Sequence, residues 1–285
     1  MAPKQRLDLE LVARGLVSSR QQAQQLIRAG KVRCGDQILD KPGTEVQPEA
    51  ELLVQQPPRF VSRGGEKLLA ALEAFPIKIG GRVCIDGGIS TGGFTDCLLQ
   101  HGATRVYGID VGYGQTAWSL RSDPRVVLRE RTNLRHLTAA DLYGCADALG
   151  SAESWPDLAV ADLSFISLGL VLPALCALMM PGAPADLLLL VKPQFEVGKA
   201  RVGKGGVVRD PAAHVDAISG VIASAQGHKL VPHGLVASPI TGPAGNHEYV
   251  LWLRPQGHPP GENWEEQPAV NPESIAALVE RTLAS

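Results

Sequence analysis

The sequence predicts an α/β protein in which a doubly wound, mostly parallel sheet of seven strands follows a small N-terminal α+β domain. From residue 82 onward, short apolar runs alternate with helical or long connections, which is the pattern of a parallel sheet. Residues 6–55 instead show two helical periods and then short alternating runs around tight turns. A Pro-Pro step between these regions predicts a stiff hinge. We therefore expect one domain over residues 1–58, a larger one over 59–255, and a polar linker with a terminal helix over 256–285.

The N-terminal domain is predicted to contain two helices and a small curled sheet. Apolar residues at helical spacing cover residues 6–15 and 19–29, with Ser18 or Ser19 as the cap and Gly30 as the stop. The segment K-V-R-C-G-D-Q-I-L-D then alternates around a G-D turn, as paired strands do. The first 33 residues carry seven basic and two acidic side chains, in a protein of formal net charge -2. This basic head favours a polyanionic partner, although a solvated surface is the commoner origin of a charge run.

The larger domain contains seven apolar runs of strand length. Five are separated by helical or long connections and the last two are close enough for a hairpin; the runs cover residues 82–86, 105–110, 125–130, 157–162, 187–192, 229–237 and 247–253. Such sheets bind ligands at the carboxyl ends of their strands, which is where we find Asp86, Asp110, Asp162 and Lys192. A terminal amphipathic helix is expected over residues 272–283.

Cysteine usage and hydropathy limit the class of protein. The five cysteines are odd in number, widely spaced and without a C-x-x-C pair, which indicates reduced thiols and argues against a disulfide scaffold or a zinc site. No stretch approaches about eighteen uninterrupted apolar residues, and the first residues lack the apolar region of a signal peptide. We therefore expect a cytoplasmic protein with no metal site and no membrane partner.

Four charged residues that lie far apart in the chain form a candidate reaction centre. Each ends or follows a predicted strand, or lies in a Gly-rich turn; they are Lys67, Asp162, Lys192 and Glu248. Folding would bring them to one edge of the sheet, beside a candidate cofactor site, and this combination indicates group transfer. The alternative is that the four residues form two structural ion pairs.

The segment I-D-G-G-I-S-T-G-G-F predicts a cofactor site at a turn between a strand and a helix. Its glycines allow a ligand to approach the backbone closely, and Asp110 at the end of the next strand is placed to accept hydrogen bonds from ribose hydroxyls. Asp86 would face the same ligand and favour a cationic or neutral cofactor over a phosphate. Alternatively, the glycines only form tight turns and Asp110 caps a helix. The candidate cofactor residues are Asp86, Gly87, Gly88, Ser90, Thr91, Gly92, Gly93, Phe94, Asp110, Val111 and Asn133.

Six blocks in the larger domain resemble a known family. They are F-V-S-R-G-G-E-K-L, D-G-G-I-S-T-G-G-F-T-D-C-L-L, G-I-D-V-G-Y-G-Q, A-D-L-S-F-I-S-L, V-K-P-Q-F-E-V-G and G-N-H-E-Y-V-L-W. In this order they resemble the TlyA family of ribosomal RNA 2'-O-methyltransferases, also called hemolysin A, whose catalytic domain is of the FtsJ type. The pattern of residues 6–55 resembles the S4 RNA-binding domain.

The resemblance implies a Rossmann-like class I methyltransferase fold, S-adenosylmethionine as the cofactor, ribosomal RNA or ribosomal subunits as the partner, and a cytidine ribose as the target. It also implies a catalytic Lys-Asp-Lys-Glu tetrad, which maps onto the four candidates. A lysine acts as a base only if its pKa is depressed, for example by burial beside a second cation. We assign that role to Lys192, with Lys67 as the second cation and Asp162 and Glu248 as orienting carboxylates. The turn Gly87-Gly88-Ile89 departs from the family pattern, in which a more apolar residue or alanine is expected.

The RNA contacts are predicted from basic residues in the head and around the reaction centre: Arg6, Arg20, Arg28, Lys31, Arg33, Arg63, Lys199, Arg201 and Lys204. The Gly-rich loop that contains the last three of these is either a mobile lid over RNA or an exposed flexible loop. Asn133 either lines the pocket or caps a turn. Phe165 and Phe195 are either core residues or stack on the base of the target nucleotide.

Two other functions fit parts of the sequence. Gly88 to Gly92 match the nucleophile elbow G-x-S-x-G, and Ser90, Asp162 and His247 occur in the order of a serine hydrolase. A non-catalytic RNA-binding or pore-forming protein is the third interpretation. The sequence does not indicate the modified nucleotide or the oligomeric state. A methyltransferase is the prediction that gives all four charged residues and the basic head a role.

Overall fold

The computed structural model describes residues 4–55, 58–144, 155–179, 181–182, 184–258 and 269–284. The chain divides into two compact units, residues 1–59 and residues 60–285. Each unit has its own hydrophobic core, with one cluster of buried residues in the first unit and two in the second.

The first unit packs two short helices onto short strands. Its elements are β1 (Gln5–Arg6), α1 (Leu7–Ala13), α2 (Arg20–Arg28), β2 (Val32–Cys34), β3 (Gln37–Ile38), β4 (Glu45–Val46) and β5 (Leu52–Val54). Strand β2 lies between β3 and β5, while β1 pairs with β4. Ser19 caps α2 by accepting a hydrogen bond from the Gln22 N–H, which decides between the two predicted caps. Both predicted helices are present and are shorter than the periodicity indicated.

The second unit alternates strands and helices as the sequence predicts. In its described part, the elements are α3 (Gly64–Ala74), β6 (Val83–Gly87), α4 (Gly93–Gln100), β7 (Arg105–Ile109), α5 (Trp118–Arg121), β8 (Val126–Arg129), α6 (Ala139–Tyr143), β9 (Leu158–Ala161), α7 (Leu172–Leu178), β10 (Asp186–Val191), α8 (Pro193–Glu196), α9 (Pro211–Gln226), β11 (Leu230–Ala237), β12 (Tyr249–Pro255) and α10 (Pro272–Leu283). Short 3-10 turns at 134–136, 168–170, 199–201 and 204–206 connect some of them.

Seven strands of the second unit form one sheet, in the order β11-β12-β10-β9-β6-β7-β8. Strands β6 to β10 pair in parallel, whereas β12 is antiparallel to both of its neighbours, β10 and β11. The seven predicted strands and the hairpin at the end are confirmed. Because β12 is reversed, its first residues lie at the same edge of the sheet as the last residues of the parallel strands.

Both faces of the sheet are covered, which explains why residues 187–191 of β10 are all apolar. Leu187, Leu189 and Val191 belong to one hydrophobic cluster and Leu188 and Leu190 to the other, as the two-residue period of a strand requires. The terminal helix α10 contributes Ile275 and Val279 to the first of these clusters. The predicted helix at 272–283 therefore completes the core of the second unit.

Four cysteines are free thiols in the described part of the chain: Cys34, Cys84, Cys97 and Cys176. Cys145 lies outside the described residues. Within the described ranges, no group of three or more His, Cys, Asp or Glu side chains is arranged to hold a metal ion. No described helix is long and apolar enough to span a bilayer.

Candidate active site

Three of the four predicted tetrad residues are brought together by the register of the sheet. Lys192 follows the last residue of β10, Val191, which pairs with Tyr249 at the start of β12. Glu248 immediately precedes Tyr249, so it lies beside Lys192 although the two strands run in opposite directions. Asp162 follows the last residue of β9, the parallel neighbour of β10 on its other side.

Lys67 reaches the same place from a helix, not from a Gly-rich turn as we expected. It lies in the first turns of α3, whose start packs directly against the start of α4. A Cβ atom on Gly93 would lie 2.3 Å from Ser62 Oγ and 2.7 Å from the backbone nitrogen of Gly65. Glycine is therefore required at residue 93 for the two helix ends to approach this closely. Gly65 of α3 is in turn close to the ring of Phe60, which a Cβ atom at residue 65 would meet at 2.2 Å.

The four side chains form a continuous chain of opposite charges. Lys67 Nζ lies 2.6 Å from Glu248 Oε2 and 3.7 Å from Asp162 Oδ2. Lys192 Nζ lies 2.6 Å from Asp162 Oδ1 and donates a hydrogen bond to Ser164 Oγ at 3.0 Å. Lys67, Lys192 and Glu248 are 7%, 8% and 2% exposed. Asp162 therefore bridges the two ammonium groups, and the charges are balanced within the site.

Two adjacent cavities open beside this chain of charges. The first, which we call the lysine cavity, has a volume of about 300 Å³ and is lined by all four tetrad residues together with Ser62, Arg63 and residues 240–243. The second, the acidic pocket, has a volume of about 440 Å³ and is lined by Asp110, Asn133 and residues 162–166, among others. Gly88, Ser90, Asp162 and Ser164 line both. A molecule in one cavity would therefore meet a molecule in the other beside Asp162.

The turn after β6 forms the wall between the two cavities. Gly88 has a φ of +83°, and a Cβ atom there would lie 2.5 Å from the carbonyl oxygen of Asp162. Asp110 folds this turn onto β7, because its Oδ2 accepts from the Ser90 N–H at 2.8 Å and its Oδ1 accepts from the Gly112 N–H at 2.7 Å. Asp110 thus shapes the backbone of the turn and still faces the acidic pocket.

Asp86 occupies a different position from the one expected, because it does not line either cavity. It is fully buried, and its Oδ2 accepts a hydrogen bond from the Thr95 hydroxyl at 2.6 Å. Its Oδ1 is buried without a hydrogen-bond partner. The pKa of Asp86 is raised to about 7. Burial is the largest cause, and the charges of Asp162 and Asp110 also contribute to the increase. Three carboxyl groups, those of Asp86, Asp110 and Asp162, therefore lie around this turn.

The other predicted cofactor residues divide between the two cavities. Ser90, Thr91, Gly93 and Phe94 line the lysine cavity, whereas Val111 and Asn133 line the acidic pocket. Gly87 and Gly92 line neither of the two. Asn133 meets both expectations at once, because its Oδ1 also caps the turn by accepting from the Arg135 N–H at 3.1 Å.

Sequence reasoning missed several residues of these walls. The most informative is Ser164, which is hydrogen-bonded to Lys192 and lines both cavities. Its signal was present in the block A-D-L-S, since a hydroxyl two residues after Asp162 lies at the same strand end. Gly112, Gln115 and Thr132 of the acidic pocket belong to loops and carried no comparable signal.

Phe165 lies at the surface, which decides against its interpretation as a core residue. Its side chain is 90% exposed and its backbone has a φ of +66°, a strained conformation for a non-glycine residue. Its ring packs on Phe195 with centroids 5.2 Å apart, and the Phe195 centroid lies 5.9 Å from Lys192 Nζ. A pair of one exposed and one half-buried aromatic ring therefore borders the lysine that we assign as the base.

The basic residues of the first unit include two that are held in place by a buried carboxylate. Arg6 Nε and Arg20 Nε lie 3.1 Å and 2.9 Å from the two oxygens of Asp8, which is fully buried. These arginines hold the pKa of Asp8 well below its usual range, the hydrogen bond from Arg6 being the largest cause. The remaining predicted contacts of this unit are Arg28, Lys31 and Arg33; of these, Lys31 donates to Gln55 at 3.3 Å.

The Gly-rich segment after α8, residues 198–209, forms an exposed loop that we call the basic loop. Lys199, Arg201 and Lys204 are all exposed in it. Arg201 is ion-paired with Asp210 and Asp216, so its charge is compensated within the chain. This compensation does not favour the predicted contact between Arg201 and RNA. Lys199 and Lys204 are the better candidates.

Comparison with known proteins agrees with this geometry. The family model for FtsJ-like methyltransferases matches residues 60–255, and the model for the S4 domain matches residues 5–52. A relative from Mycobacterium tuberculosis (strain ATCC 25618 / H37Rv), named 16S/23S rRNA (cytidine-2'-O)-methyltransferase TlyA, is 53% identical over 260 residues, which are 90% of this chain and 92% of the relative. The chain belongs to the TlyA family of FtsJ-like methyltransferases.

Two further TlyA-family comparisons cover nearly the whole chain. A Bacillus subtilis (strain 168) protein with the provisional name rRNA methyltransferase YqxC is 46% identical over 97% of this chain and 93% of its own length. A solved structure from Streptococcus thermophilus, described provisionally as a hemolysin, is 37% identical and covers 99% of this chain and 96% of its own, with a TM-score of 0.68. The resemblance inferred from the six sequence blocks is confirmed.

The geometry speaks against the serine hydrolase. The Ser90 hydroxyl donates to Gln115 Oε1 at 3.4 Å, while both oxygens of Asp162 are ion-paired with lysines. Neither residue is therefore engaged as a triad of Ser90, Asp162 and His247 would require.

Proposed function

We propose that this protein transfers a methyl group from S-adenosylmethionine to the 2'-hydroxyl of a cytidine in ribosomal RNA. The observation that carries the proposal is the Lys67–Asp162–Lys192 chain, closed by Glu248, which lines the lysine cavity and reaches the acidic pocket at Asp162. The acidic pocket would take the methyl donor and the lysine cavity the target nucleotide. The names of the relatives supply the class of substrate, and the cavities agree with it.

The residues around the turn fit S-adenosylmethionine. This cofactor carries a positive sulfonium centre, and the carboxylate of Asp110 places a negative charge in the wall of the acidic pocket. The side chains of Asp110 and Asn133 face the pocket and offer acceptors to a nucleoside, while Gly88 lets the backbone of Asp162 approach the turn that lines the pocket. The buried and unpartnered Oδ1 of Asp86 adds an electrostatic contribution without touching the pocket surface.

The cofactor supplies an electrophilic methyl group, and the chain supplies the activation and orientation of the attacking hydroxyl. Lys192 is the proposed base, because its Nζ borders the lysine cavity next to the wall shared with the acidic pocket. Asp162 and Ser164 fix that nitrogen from two sides. Lys67 lies on the other side of Asp162, so that this one carboxylate holds both lysine nitrogens beside the cavity. Glu248 compensates the charge of Lys67 and fixes its direction.

The aromatic pair at the rim offers a place for the base of the target nucleotide. An exposed Phe165 in a strained backbone conformation is costly unless something else compensates for it. Stacking against a flipped base would do so, and it would hold the ribose next to Lys192. We propose this role for Phe165, with Phe195 supporting it from below.

The first unit would bind the RNA backbone. We propose a functional division into residues 1–58 for RNA binding, 59–255 for methyl transfer and 256–285 as a linker and supporting helix. The phosphate contacts would come from Arg6, Arg20, Arg28, Lys31 and Arg33 of the first part and from Arg63, Lys199 and Lys204 of the second. The place of action is the cytoplasm, on ribosomal RNA or ribosomal subunits.

The test is methyl transfer from labelled S-adenosylmethionine to rRNA purified from cells that lack this protein, followed by mapping of 2'-O-methyl marks. The wild-type protein should mark cytidine. Lys192→Ala should lower turnover by about 10²- to 10⁴-fold, the usual contribution of a general base, and should keep its affinity for the cofactor. Lys78→Ala, which removes an exposed lysine remote from both cavities, is the matched control. Marks on another position of the nucleotide, or substantial turnover by Lys192→Ala, would contradict the proposal.

A further inference from the structure

The C-terminal end of the basic loop is fixed through the backbone of one buried residue, Val208. Its N–H donates to Asn246 Oδ1 at 2.9 Å, and its carbonyl oxygen accepts from His214 Nε2 at 3.0 Å. Asn246 Nδ2 also donates to the carbonyl oxygen of Gly206 at 2.8 Å. Asn246 and His214 are 2% and 0% exposed, so these bonds are shielded from water.

The contact partners of His214 fix its protonation state. Because a carbonyl oxygen only accepts, Nε2 carries the proton, and Nδ1 then accepts from the Tyr249 hydroxyl at 3.0 Å. Burial lowers the pKa of His214, which agrees with a neutral ring. Val208 is thus held by a side chain that is itself oriented by the first residue of β12.

Asn246 also fixes a turn in the wall of the lysine cavity, although it does not itself line the cavity. Its carbonyl oxygen accepts from the Gly242 N–H at 2.8 Å, which closes the turn that lines this cavity. That turn packs directly on the tetrad, since a Cβ atom on Gly242 would lie 2.7 Å from Glu248 Oε1. One residue therefore connects the basic loop, the cavity wall and the strand that starts beside Glu248.

We propose that Asn246 is a positioning residue, which fixes the basic loop against the wall of the lysine cavity and so presents Lys199 and Lys204 to phosphates next to the target ribose. The inference rests on the proposed function in one respect, namely that the polyanion is RNA. The loop needs such a fixation because Gly205 and Gly206 adopt φ values of +79° and +77°, and glycines leave an unattached loop with high conformational entropy. Because a fixed loop is already ordered, it loses less conformational entropy when RNA binds.

The test measures rRNA affinity by filter binding for Asn246→Ala, for the pair Lys199→Ala and Lys204→Ala, and for the triple variant. Asn246→Ala should weaken binding about tenfold and leave cofactor affinity unchanged, because it releases the loop. In the triple variant, Asn246→Ala should weaken rRNA binding little beyond the effect of the two lysine changes. Changes that act through the same element are not additive, and here all three act through the basic loop. Trypsin should also cleave after Lys204 faster in Asn246→Ala than in the wild type.

The control is Asn271→Ala, which removes another asparagine that accepts from a backbone N–H, that of Ser274 at 2.9 Å, at the start of α10. It should change neither rRNA affinity nor cleavage in the basic loop. If Asn246→Ala does not fold, His214→Phe removes the other bond to Val208 and should give the same pattern.

Full additivity in the triple variant, or unchanged cleavage after Lys204, would overturn the positioning role. A wild-type protein that binds rRNA with the expected coupling but transfers no methyl group would refute the proposed function and leave the role of Asn246 standing. The two proposals are therefore separable.

Discussion

Replacing Glu248 by alanine should destabilise the second unit strongly, because it leaves the Lys67 ammonium group buried without its nearest partner. The Lys67 side chain is 9% exposed and loses a carboxylate at 2.6 Å, while the remaining one, on Asp162, lies 3.7 Å away. Breaking a buried pair on one side typically costs about 3–5 kcal/mol. We expect the variant to lose that amount of unfolding free energy together with its activity.

The double variant Lys67→Met with Glu248→Leu should behave differently. Apolar residues of similar volume often replace a buried ion pair without loss of stability, so its unfolding free energy should lie within about 1 kcal/mol of the wild type. It should nevertheless be inactive, because it lacks the second cation beside Lys192. Recovery of stability without recovery of turnover would separate the catalytic role of the pair from a structural one.

Urea unfolding followed by tryptophan fluorescence measures this in the full chain. All four tryptophans, at 118, 155, 252 and 264, belong to the second unit, so the signal reports on that unit. Glu73→Ala on α3 removes an exposed carboxylate and serves as the control, with an expected change within about 0.5 kcal/mol. A cost of about 1 kcal/mol or less for Glu248→Ala, or a double variant as unstable as the single one, would refute the reasoning from buried charge.

Three further variants test other parts of the site. In the wild type Asp86 has a pKa of about 7 when folded and 3.8 as the ordinary value, so stability falls as the pH rises between these values. Asp86→Asn should abolish this slope. Between pH 4 and pH 8, the unfolding free energy of the wild type, measured in urea, should therefore fall by up to about 4 kcal/mol more than that of the variant. Gly93→Ala should cost about 1–3 kcal/mol by denaturation and most of the activity, because the new methyl group would meet Ser62 Oγ at 2.3 Å and a backbone nitrogen at 2.7 Å. Ser90→Ala should lower methyl transfer by at most about tenfold, the value of one neutral hydrogen bond, since its hydroxyl makes only a 3.4 Å contact with Gln115. A hydrolase would instead lose all activity.

The sheet could be predicted because each of its parallel strands is an apolar run with a charged residue at or just after its end. Asp162 and Lys192 follow strands that pair in parallel, so the position of one fixes the position of the other. The placement of Glu248 needed one more fact, the reversal of β12, which the short connection after residue 237 indicated. Local sequence thus carries the positions that depend on strand ends.

The errors concern residues whose position depends on packing between elements. Lys67 was expected in a turn because Gly64 and Gly65 resemble turn residues, yet both begin α3, where Gly65 makes room for the ring of Phe60. Asp86 ends a strand like Asp162, but it is covered by the Thr95 hydroxyl from α4. The role of Asn246 depends on a loop 40 residues earlier in the chain, as the hydrogen bond to Gly206 shows. No local pattern encodes such contacts.

The balance of charges in the tetrad explains why this protein needs basic residues elsewhere. Two ammonium groups and two carboxylates compensate each other at distances of 2.6 to 3.7 Å, so the site itself offers little net attraction to phosphates. The attraction must come from uncompensated cations, which the sequence concentrates in its first 33 residues and in the basic loop. Under the proposed function, chemistry and RNA affinity would therefore be carried by different residues, and we expect a change in the tetrad to alter turnover far more than RNA binding.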